Sequence, residues 1–331
     1  MAKERIQWLA ILRGINIILV VMYHVQLIDM STGENHIFCS NICYPFNPIR
    51  MPLFIFCSGG LLYLSRINKQ WKVKSLYIDK VYRIVFPFLF FVTFYYFFKL
   101  ALNPFIKTKV IFSLSDFFES FSIYYGHPSA HLWFLPVLFW FMLLYPFFKW
   151  LCQKNIRMNI FLLFCILFYF IDIPRLTDKN YFYIYSLNNY LIFFFFGIYF
   201  FKYKLYIYLN SILYLFLTIV LYIISYYYNI PLITTIFGIL SMICLSQLIA
   251  RKLPNLFISF REYIYQIFLM SFIFQPFVEL ILWKKSFYNE NIVFLFYIMN
   301  VLSGIYMPVV ITKIVEHSHS RVMKICLGIK S

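Results

Sequence analysis

Long apolar segments follow one another along this chain and restrict the folds it can adopt. Ten of them come close to the roughly 20 residues that a helix needs to cross a bilayer. They cover approximately residues 8–28, 48–66, 82–102, 132–150, 158–174, 187–202, 206–228, 231–250, 262–283 and 291–313. Hydrophobic residues make up 63% of the chain and charged residues only 12%, which excludes a soluble domain of this size. The sequence therefore predicts an all-α, polytopic membrane helix bundle with about ten transmembrane helices.

The positions of Lys and Arg predict the orientation of these helices. If the N-terminus is cytoplasmic, 20 of the 29 Lys and Arg residues fall in cytoplasmic segments and 8 in outer segments, with Arg13 inside the membrane. Cytoplasmic loops of membrane proteins carry the excess of positive residues. The split therefore predicts that the N-terminus and the C-terminus are both cytoplasmic. It also favours the count of ten, because one missing span would invert every later loop.

The net charge of +17 is spread between the apolar segments and does not form one patch. It therefore indicates membrane topology and not a nucleic-acid partner. Because no internal repeat or low-complexity linker interrupts the chain, residues 1–331 are predicted to form a single domain. Cys39 and Cys43 could pair in a predicted outer loop, but their close spacing favours free thiols.

Two polar residues in the first apolar segment are candidates for chemistry. Arg13 and His24 are eleven residues apart, so in a continuous helix they would share one face, about 16 Å apart along the axis. Ionisable residues inside membrane spans are costly and often functional. Arg13 could extend toward the inner interface, or it could bind a phosphate. His24 could be a buried structural histidine, or a general base that takes the proton of a sugar hydroxyl.

The second apolar segment contains Arg50 near its outer end and Ser58 before Gly59 and Gly60. Ser-Gly-Gly in an apolar helix is typical of close helix packing. A nucleophilic Ser58 would need an adjacent base and a sharp turn, which the sequence does not indicate. Arg50 could be a rim charge or a substrate contact.

The segment before the fourth span contains His127, His131 and Trp133. The two histidines have the i, i+4 spacing of metal ligands, but Pro128 between them disfavours a regular helix. Without the glutamate of a HExxH motif, a metalloprotease is rejected and no metal is predicted. His131 could instead contact an acceptor sugar, and Trp133 fits an interfacial aromatic belt.

The predicted cytoplasmic loop from Arg66 to Arg83 is strongly basic. Membrane topology and attraction to anionic lipids account for such a loop, and it could also attract a highly anionic cofactor. Further polar candidates within or near the apolar segments are Asp172, Gln275 and Glu279.

Four segments in order resemble the acyltransferase 3 family of integral membrane acyltransferases. The family's first span carries Arg or Lys, ten residues and then His, as Arg13 to His24 do here. The apolar run that ends in Ser-Gly resembles MPLFIFCSGGLLYLS, residues 51–65. The following basic loop and the R-x-x-x-P entry to the third span resemble YRIVFP, with Arg83 to Pro87. The fourth segment, HLWFL, begins at His131. The resemblance covers the first 150 residues in detail and the rest by topology.

This resemblance implies transfer of an acyl group, usually acetyl, from cytoplasmic acyl-CoA to a hydroxyl of a cell-surface polysaccharide or its lipid-linked precursor. Arg13 and Arg83 would bind the cofactor, acetyl-CoA or another acyl-CoA, and His24 would be the catalytic residue. Direct transfer and a transient acyl-histidine both fit. The expected location is the inner (plasma) membrane, in contact with its lipids. Further substrate-binding candidates are Arg50, Ser58, His131 and Trp133.

A transporter or flippase of a lipid-linked glycan is the alternative. Transporters often contain repeats and helices broken at matched Gly or Pro positions. The chain shows no such symmetry and has only nine Gly residues, so the acyltransferase interpretation is favoured.

Overall fold

The computed structural model describes residues 7–27, 36–104, 109, 111–122, 127–171, 183–283 and 292–329. All regular secondary structure in these ranges is helical, as predicted. In chain order the α-helices are α1 Gln7–Tyr23, α2 Ile37–Cys43, α3 Asn47–Leu62, α4 Val73–Lys80, α5 Phe86–Ala101, α6 Leu114–Glu119, α7 Phe134–Leu143, α8 Tyr145–Leu151, α9 Asn155–Tyr169, α10 Ile184–Lys202, α11 Ile212–Tyr227, α12 Pro231–Lys252, α13 Ile264–Phe277, α14 Val293–His317 and α15 Arg321–Cys326. Shorter π-helical turns cover Tyr63–Ile67, Val81–Val85 and Val278–Trp283, and 3₁₀ turns cover Tyr44–Phe46, Ala130–Trp133 and Leu205–Ile207.

Each predicted span coincides with an apolar helix, but not every helix is long enough to cross a membrane by itself. Within the described ranges, six helices have the necessary length and hydropathy, or seven if α7 and α8, bent by 53° at their junction, form one span. Three shorter apolar helices, α1, α9 and α11, account for the remaining predicted spans. The count of ten and the orientation of the termini therefore stay predictions. The six long helices are Ile37–Ile67, Val73–Ala101, Ile184–Lys202, Pro231–Lys252, Ile264–Leu282 and Val293–His317.

Most hydroxyl groups inside the apolar helices are satisfied by their own helix. Thr218 donates to the carbonyl of Tyr214 at 2.8 Å, and Thr234 donates to the carbonyl of Ile230 at 2.9 Å. Thr312 donates to the carbonyl of Pro308 at 2.7 Å within α14. These bonds remove the cost of placing a hydroxyl in apolar surroundings. These hydroxyl groups therefore have a structural role. Amide side chains that bond to a neighbouring helix differ from them in this respect.

The structure divides into two compact units, which are described separately. The first contains the described residues of Met1–Cys57 and Lys204–Ile314, and the second contains those of Ser58–Tyr203 and Val315–Ser331. The single domain predicted for 1–331 stays a prediction. The seven cysteines are free thiols, Cys39 and Cys43 included.

In the first unit, α12 packs against α11 and α1, and α1 also packs against α13. Although α1 is short, about half of its residues are buried. Its glycine allows a close contact, because a Cβ added at Gly14 would lie 2.7 Å from the Phe257 ring. Gly304 of α14 is similarly close to Val21. Small residues at such contacts are typical of helix packing in membranes.

In the second unit, α10 packs against α7 and α9, and aromatic rings fill the space between them. The Phe194 and Phe141 ring centroids are 4.8 Å apart, and those of Phe195 and Phe161 are 4.7 Å apart. The loop after Ile67 is held by Tyr145, whose hydroxyl donates to the Trp71 carbonyl at 2.9 Å. This packing fixes a loop within the basic segment from Arg66 to Arg83.

Candidate functional site

The regular helix α1 ends at Tyr23. Arg13 is therefore inside α1, whereas His24 follows its last residue. The His24 N–H donates to the Val21 carbonyl at 3.1 Å, and the Val25 N–H donates to the Met22 carbonyl at 3.2 Å. These are the tighter bonds with which helices commonly end. The predicted end near Ile28 is therefore wrong, and His24 lies in a turn directly after α1. The single helix face expected for Arg13 and His24 stays a prediction.

Arg50 of α3 lies next to the end of α1. Its guanidinium carbon is 3.1 Å from the centroid of the Tyr23 ring, and Arg50 also interacts electrostatically with His24. A guanidinium over an aromatic face is a favourable cation–π contact. The structure thus brings together two predicted site residues, Arg50 and His24, through a tyrosine that the sequence did not indicate.

Asn16 joins α1 to α3 through both ends of its amide. With nitrogen and oxygen assigned from the hydrogen-bond pattern, it donates to the Arg50 carbonyl at 2.9 Å and accepts from the Phe54 N–H at 3.0 Å. These two backbone groups occupy the acceptor and donor positions of one turn of α3. Because Asn16 is 1% exposed, losing these bonds would leave buried polar groups unsatisfied. Asn16 therefore fixes Arg50 relative to α1.

Arg13 precedes Asn16 in α1, whereas His24 follows it. It is half-buried and close enough to the Cys57 thiol of α3 to interact with it electrostatically. Together with Asn16, which contacts α3 at Arg50 and Phe54, this contact shows that α1 and α3 run antiparallel. The first unit therefore places Arg13 near the middle of α1 and His24 with Arg50 at its C-terminal end.

The His24 imidazole is enclosed by aromatic rings. Its centroid is 5.4 Å from that of Tyr23 and 5.4 Å from that of Phe272 on α13, and both pairs have edge-to-face geometry. Such contacts hold a ring in one orientation. A fixed imidazole beside a fixed guanidinium can exchange a proton and stabilise a developing negative charge.

In the second unit, two cations contact one carboxylate and a third cation lies near them. This basic cluster consists of Arg66, Lys80 and Arg83. The Arg66 guanidinium is 3.0 Å from the Asp79 carboxylate, and the Lys80 ammonium is 3.7 Å from it. Arg83 is exposed and interacts electrostatically with both other cations. Since Asp79 neutralises only one positive charge, the cluster can bind a phosphate group.

Two other predicted substrate contacts also belong to the second unit. The His131 ring packs edge-to-face on the Tyr95 ring, with the two ring centroids 4.3 Å apart. The ring centroids of Trp133 and Tyr190 are 5.0 Å apart. Both side chains are half-buried. Their roles stay predictions.

Close packing against α10 explains why two glycines follow Ser58. A Cβ at Gly59 would lie 2.0 Å from the Phe194 carbonyl oxygen, and one at Gly60 would lie 2.4 Å from the Phe201 ring. Close approach to α10 thus explains this part of the motif, and a role for Ser58 in substrate binding stays a prediction. Within the described ranges, no group of three or more His, Cys, Asp or Glu side chains could hold a metal ion.

Sequence reasoning missed Asn16 and Tyr23, and it named Gln275 without a role. Asn16 follows Arg13 by three residues in an apolar segment, and that spacing alone could have identified it. Asp172 was also named and lies outside the described residues.

A family model described as an acyltransferase domain, of the acyltransferase 3 type, matches residues 6–312 of the chain. Searches of curated proteins and of solved structures find no significant match. The match covers most of both units and each of the candidate site residues placed above.

Proposed function

The chain belongs to the acyltransferase 3 family and is an acyltransferase, and from this premise we propose that it is a membrane O-acyltransferase. It moves an acetyl group, or another acyl group, from acyl-CoA to a hydroxyl of a cell-surface polysaccharide or its lipid-linked precursor. It acts as a multi-pass protein of the inner (plasma) membrane. The observation that carries this proposal is the grouping of His24, Tyr23 and Arg50 at the end of α1.

In the reaction, the acceptor hydroxyl oxygen attacks the carbonyl carbon of the thioester. A C–O bond forms, the C–S bond breaks, and CoA leaves as the thiolate. His24 takes the proton of the hydroxyl and returns it to the leaving sulfur, so that no proton is gained or lost. General base catalysis of this kind contributes typically about 10²- to 10⁴-fold in rate.

Arg50 stabilises the negative charge that develops on the carbonyl oxygen. A guanidinium held over Tyr23 needs little rearrangement as that charge appears, and fixed charges are most effective in surroundings that exclude water. The Asn16 amide supports this role, because it bonds to the backbone of Arg50 itself.

The phosphates of CoA need cations, and each unit contains a candidate for this role. Arg13 is the candidate of the first unit, and the basic cluster with Arg83 is a separate candidate in the second. Arginine binds phosphate through two parallel N–H donors, which suits the pyrophosphate and the 3′-phosphate of CoA.

The decisive experiment uses the purified full-length protein with radiolabelled acetyl-CoA. The acceptor is envelope glycan extracted from producing cells that lack an active copy of the protein. We expect label in the glycan and its release by mild base, as for an ester, and loss of this transfer in the His24→Ala variant. Transport without acylation would leave the label in acetyl-CoA, and that result would overturn the proposal.

A further inference from the structure

Two buried amide side chains are linked by hydrogen bonds to the last turn of α1, Gln275 directly and Asn300 through the Gln275 backbone. Gln275 of α13 is 2% exposed and Asn300 of α14 is 0% exposed. The Gln275 Nε2 donates to the Val21 carbonyl at 2.9 Å, and the Asn300 Nδ2 donates to the backbone carbonyl of Gln275 at 3.3 Å. A chain of two amides therefore connects α14, α13 and the end of α1.

The same bonds determine where the amide oxygens are. Because each nitrogen donates to a carbonyl, the Gln275 Oε1 and the Asn300 Oδ1 must be the remaining acceptors. Neither oxygen accepts a hydrogen bond from the residues that the structure describes. Buried acceptors without a donor are rare in native proteins because desolvating them costs free energy. Each of these two oxygens therefore requires a source of O–H or N–H donors that the described residues do not supply.

These amides lie directly beside the catalytic histidine. The Val21 carbonyl that accepts from Gln275 also accepts a hydrogen bond from the backbone N–H of His24, at 3.1 Å. Phe272, one turn earlier on α13, packs against the His24 ring. The close packing of Gly304 against Val21 and Gln275 brings α14 to the same place. The two oxygens and the imidazole thus belong to one small region of the first unit.

We propose that Gln275 and Asn300 bind neutral hydroxyl groups of the acyl acceptor, next to the hydroxyl that His24 activates. This inference rests on the proposed function and specifies its acceptor. A carboxylate or phosphate has no hydrogen to donate and would be repelled by two carbonyl oxygens. An ammonium group has donors, but its charge would be desolvated in an apolar bundle. A sugar ring with neighbouring free hydroxyls meets both requirements.

The test compares two buried asparagines that make the same kind of bond. In Asn300→Leu the side chain keeps its approximate volume and loses the acceptor oxygen. Asn188→Leu is the matched control, since Asn188 is 7% exposed and also donates to a backbone carbonyl, that of Ile171 at 2.7 Å, but belongs to the second unit. Acetyl transfer is first measured at varied concentrations of the extracted envelope glycan with saturating acetyl-CoA. It is then measured at varied concentrations of acetyl-CoA with saturating glycan.

We expect Asn300→Leu to raise the KM for the glycan about tenfold, the effect of losing roughly one hydrogen bond to the substrate. The KM for acetyl-CoA stays within about twofold, and Asn188→Leu changes neither value. An unchanged glycan KM in Asn300→Leu, or equal changes in both variants, overturns the inference and assigns the oxygens to internal water or to packing.

A second measurement covers the case in which Asn300→Leu fails to fold. With the unmodified protein, methyl glucopyranoside should compete with the glycan acceptor, whereas the same glycoside with a free carboxylate, methyl glucopyranosiduronate, should compete at least about tenfold less well. Equal competition by the two probes contradicts the inference.

A third measurement separates this inference from the proposed function. Without acetyl-CoA, the glycan should raise the melting temperature of the wild type and of Asn188→Leu but not of Asn300→Leu, because ligand binding stabilises only a protein that binds it. If this shift occurs while the wild type transfers no acetyl group, the proposed function fails and the binding site stands. If acetyl is transferred but the shift in melting temperature is the same in all three proteins, the proposed function stands and the acceptor-binding role of Gln275 and Asn300 fails.

Discussion

The Arg50 guanidinium lies 3.1 Å from the centre of the Tyr23 ring, and Tyr23 is the last residue of α1, directly before His24. The end of α1 is therefore attached to α3 by a cation–π contact, and the middle of α1 is attached to it by Asn16. The position of the histidine thus depends on α3 as much as on its own helix.

Replacing Tyr23 by Leu should lower kcat about fivefold, since a cation–π contact contributes roughly 1 kcal/mol. Tyr23→Phe keeps the ring and should stay within about twofold of the wild type. Steady-state acetyl transfer measures both variants. If they lose the same activity, the hydroxyl of Tyr23 matters and the contact of its ring face with Arg50 does not.

His24→Ala should lower acyl transfer by about 10²- to 10⁴-fold, the usual contribution of a general base. Membrane insertion and the melting temperature should change little, because His24 lies after the end of α1. His319→Ala removes an exposed histidine near the C-terminus and serves as the control with full activity. Near-normal transfer by His24→Ala would remove this residue from the mechanism.

Asn16→Leu should destabilise the protein by about 1 to 3 kcal/mol, because it removes two buried hydrogen bonds that join α1 to α3. Thermal unfolding in detergent measures the change. The control is Asn159→Leu, which removes only an exposed hydrogen bond to Tyr199 and should have a small effect. Equal melting temperatures of the two variants would show that the Asn16 bonds contribute nothing to stability.

Asp79→Asn should lower the KM for acetyl-CoA a few-fold, because it removes the carboxylate that competes with phosphate for Arg66 and Lys80. Arg83→Gln should raise the same KM. Both effects should shrink as salt is added, since screening weakens exposed charge interactions. A KM that is unchanged in both variants at low salt would exclude the basic cluster from donor binding.

Gly59→Ala should destabilise the second unit by about 1 to 3 kcal/mol or more, because its Cβ would meet the backbone oxygen of Phe194, which cannot move aside. Gly14→Ala meets only the side chain of Phe257, which can rotate, and should cost less. Melting temperatures compare the two. The packing explanation of the Ser-Gly-Gly motif fails if Gly59→Ala is the more stable variant.

The sequence predicted the helices well because apolar length is a local property. Each of the ten expected spans coincides with an apolar helix, and the error at α1 concerns only where the helix ends. The end is harder to predict because it depends on backbone bonds such as that from His24 to Val21. The two compact units were not foreseen, since no repeat or linker marks their boundary.

The candidate site was predicted in part. Arg13, His24 and Arg50 could be named from the cost of polar groups in apolar segments, and the structure groups the last two. Tyr23 could not be named, since one tyrosine among 29 carries no signal in the sequence. Asn300 was missed for a similar reason, because its importance comes from contact with a residue that is 25 positions away.

The contact of Asn16 with α3 also sets a fixed spacing along the chain. With Asn16 held to Arg50 and Phe54, the seven residues that follow it determine the direction in which the end of α1 points. One inserted residue in this stretch would rotate everything beyond it by about 100° and advance it by about 1.5 Å. Tyr23 would then leave Arg50, although every side chain of the site was still present. The length of this stretch is thus as much a requirement of the enzyme as the identity of its residues.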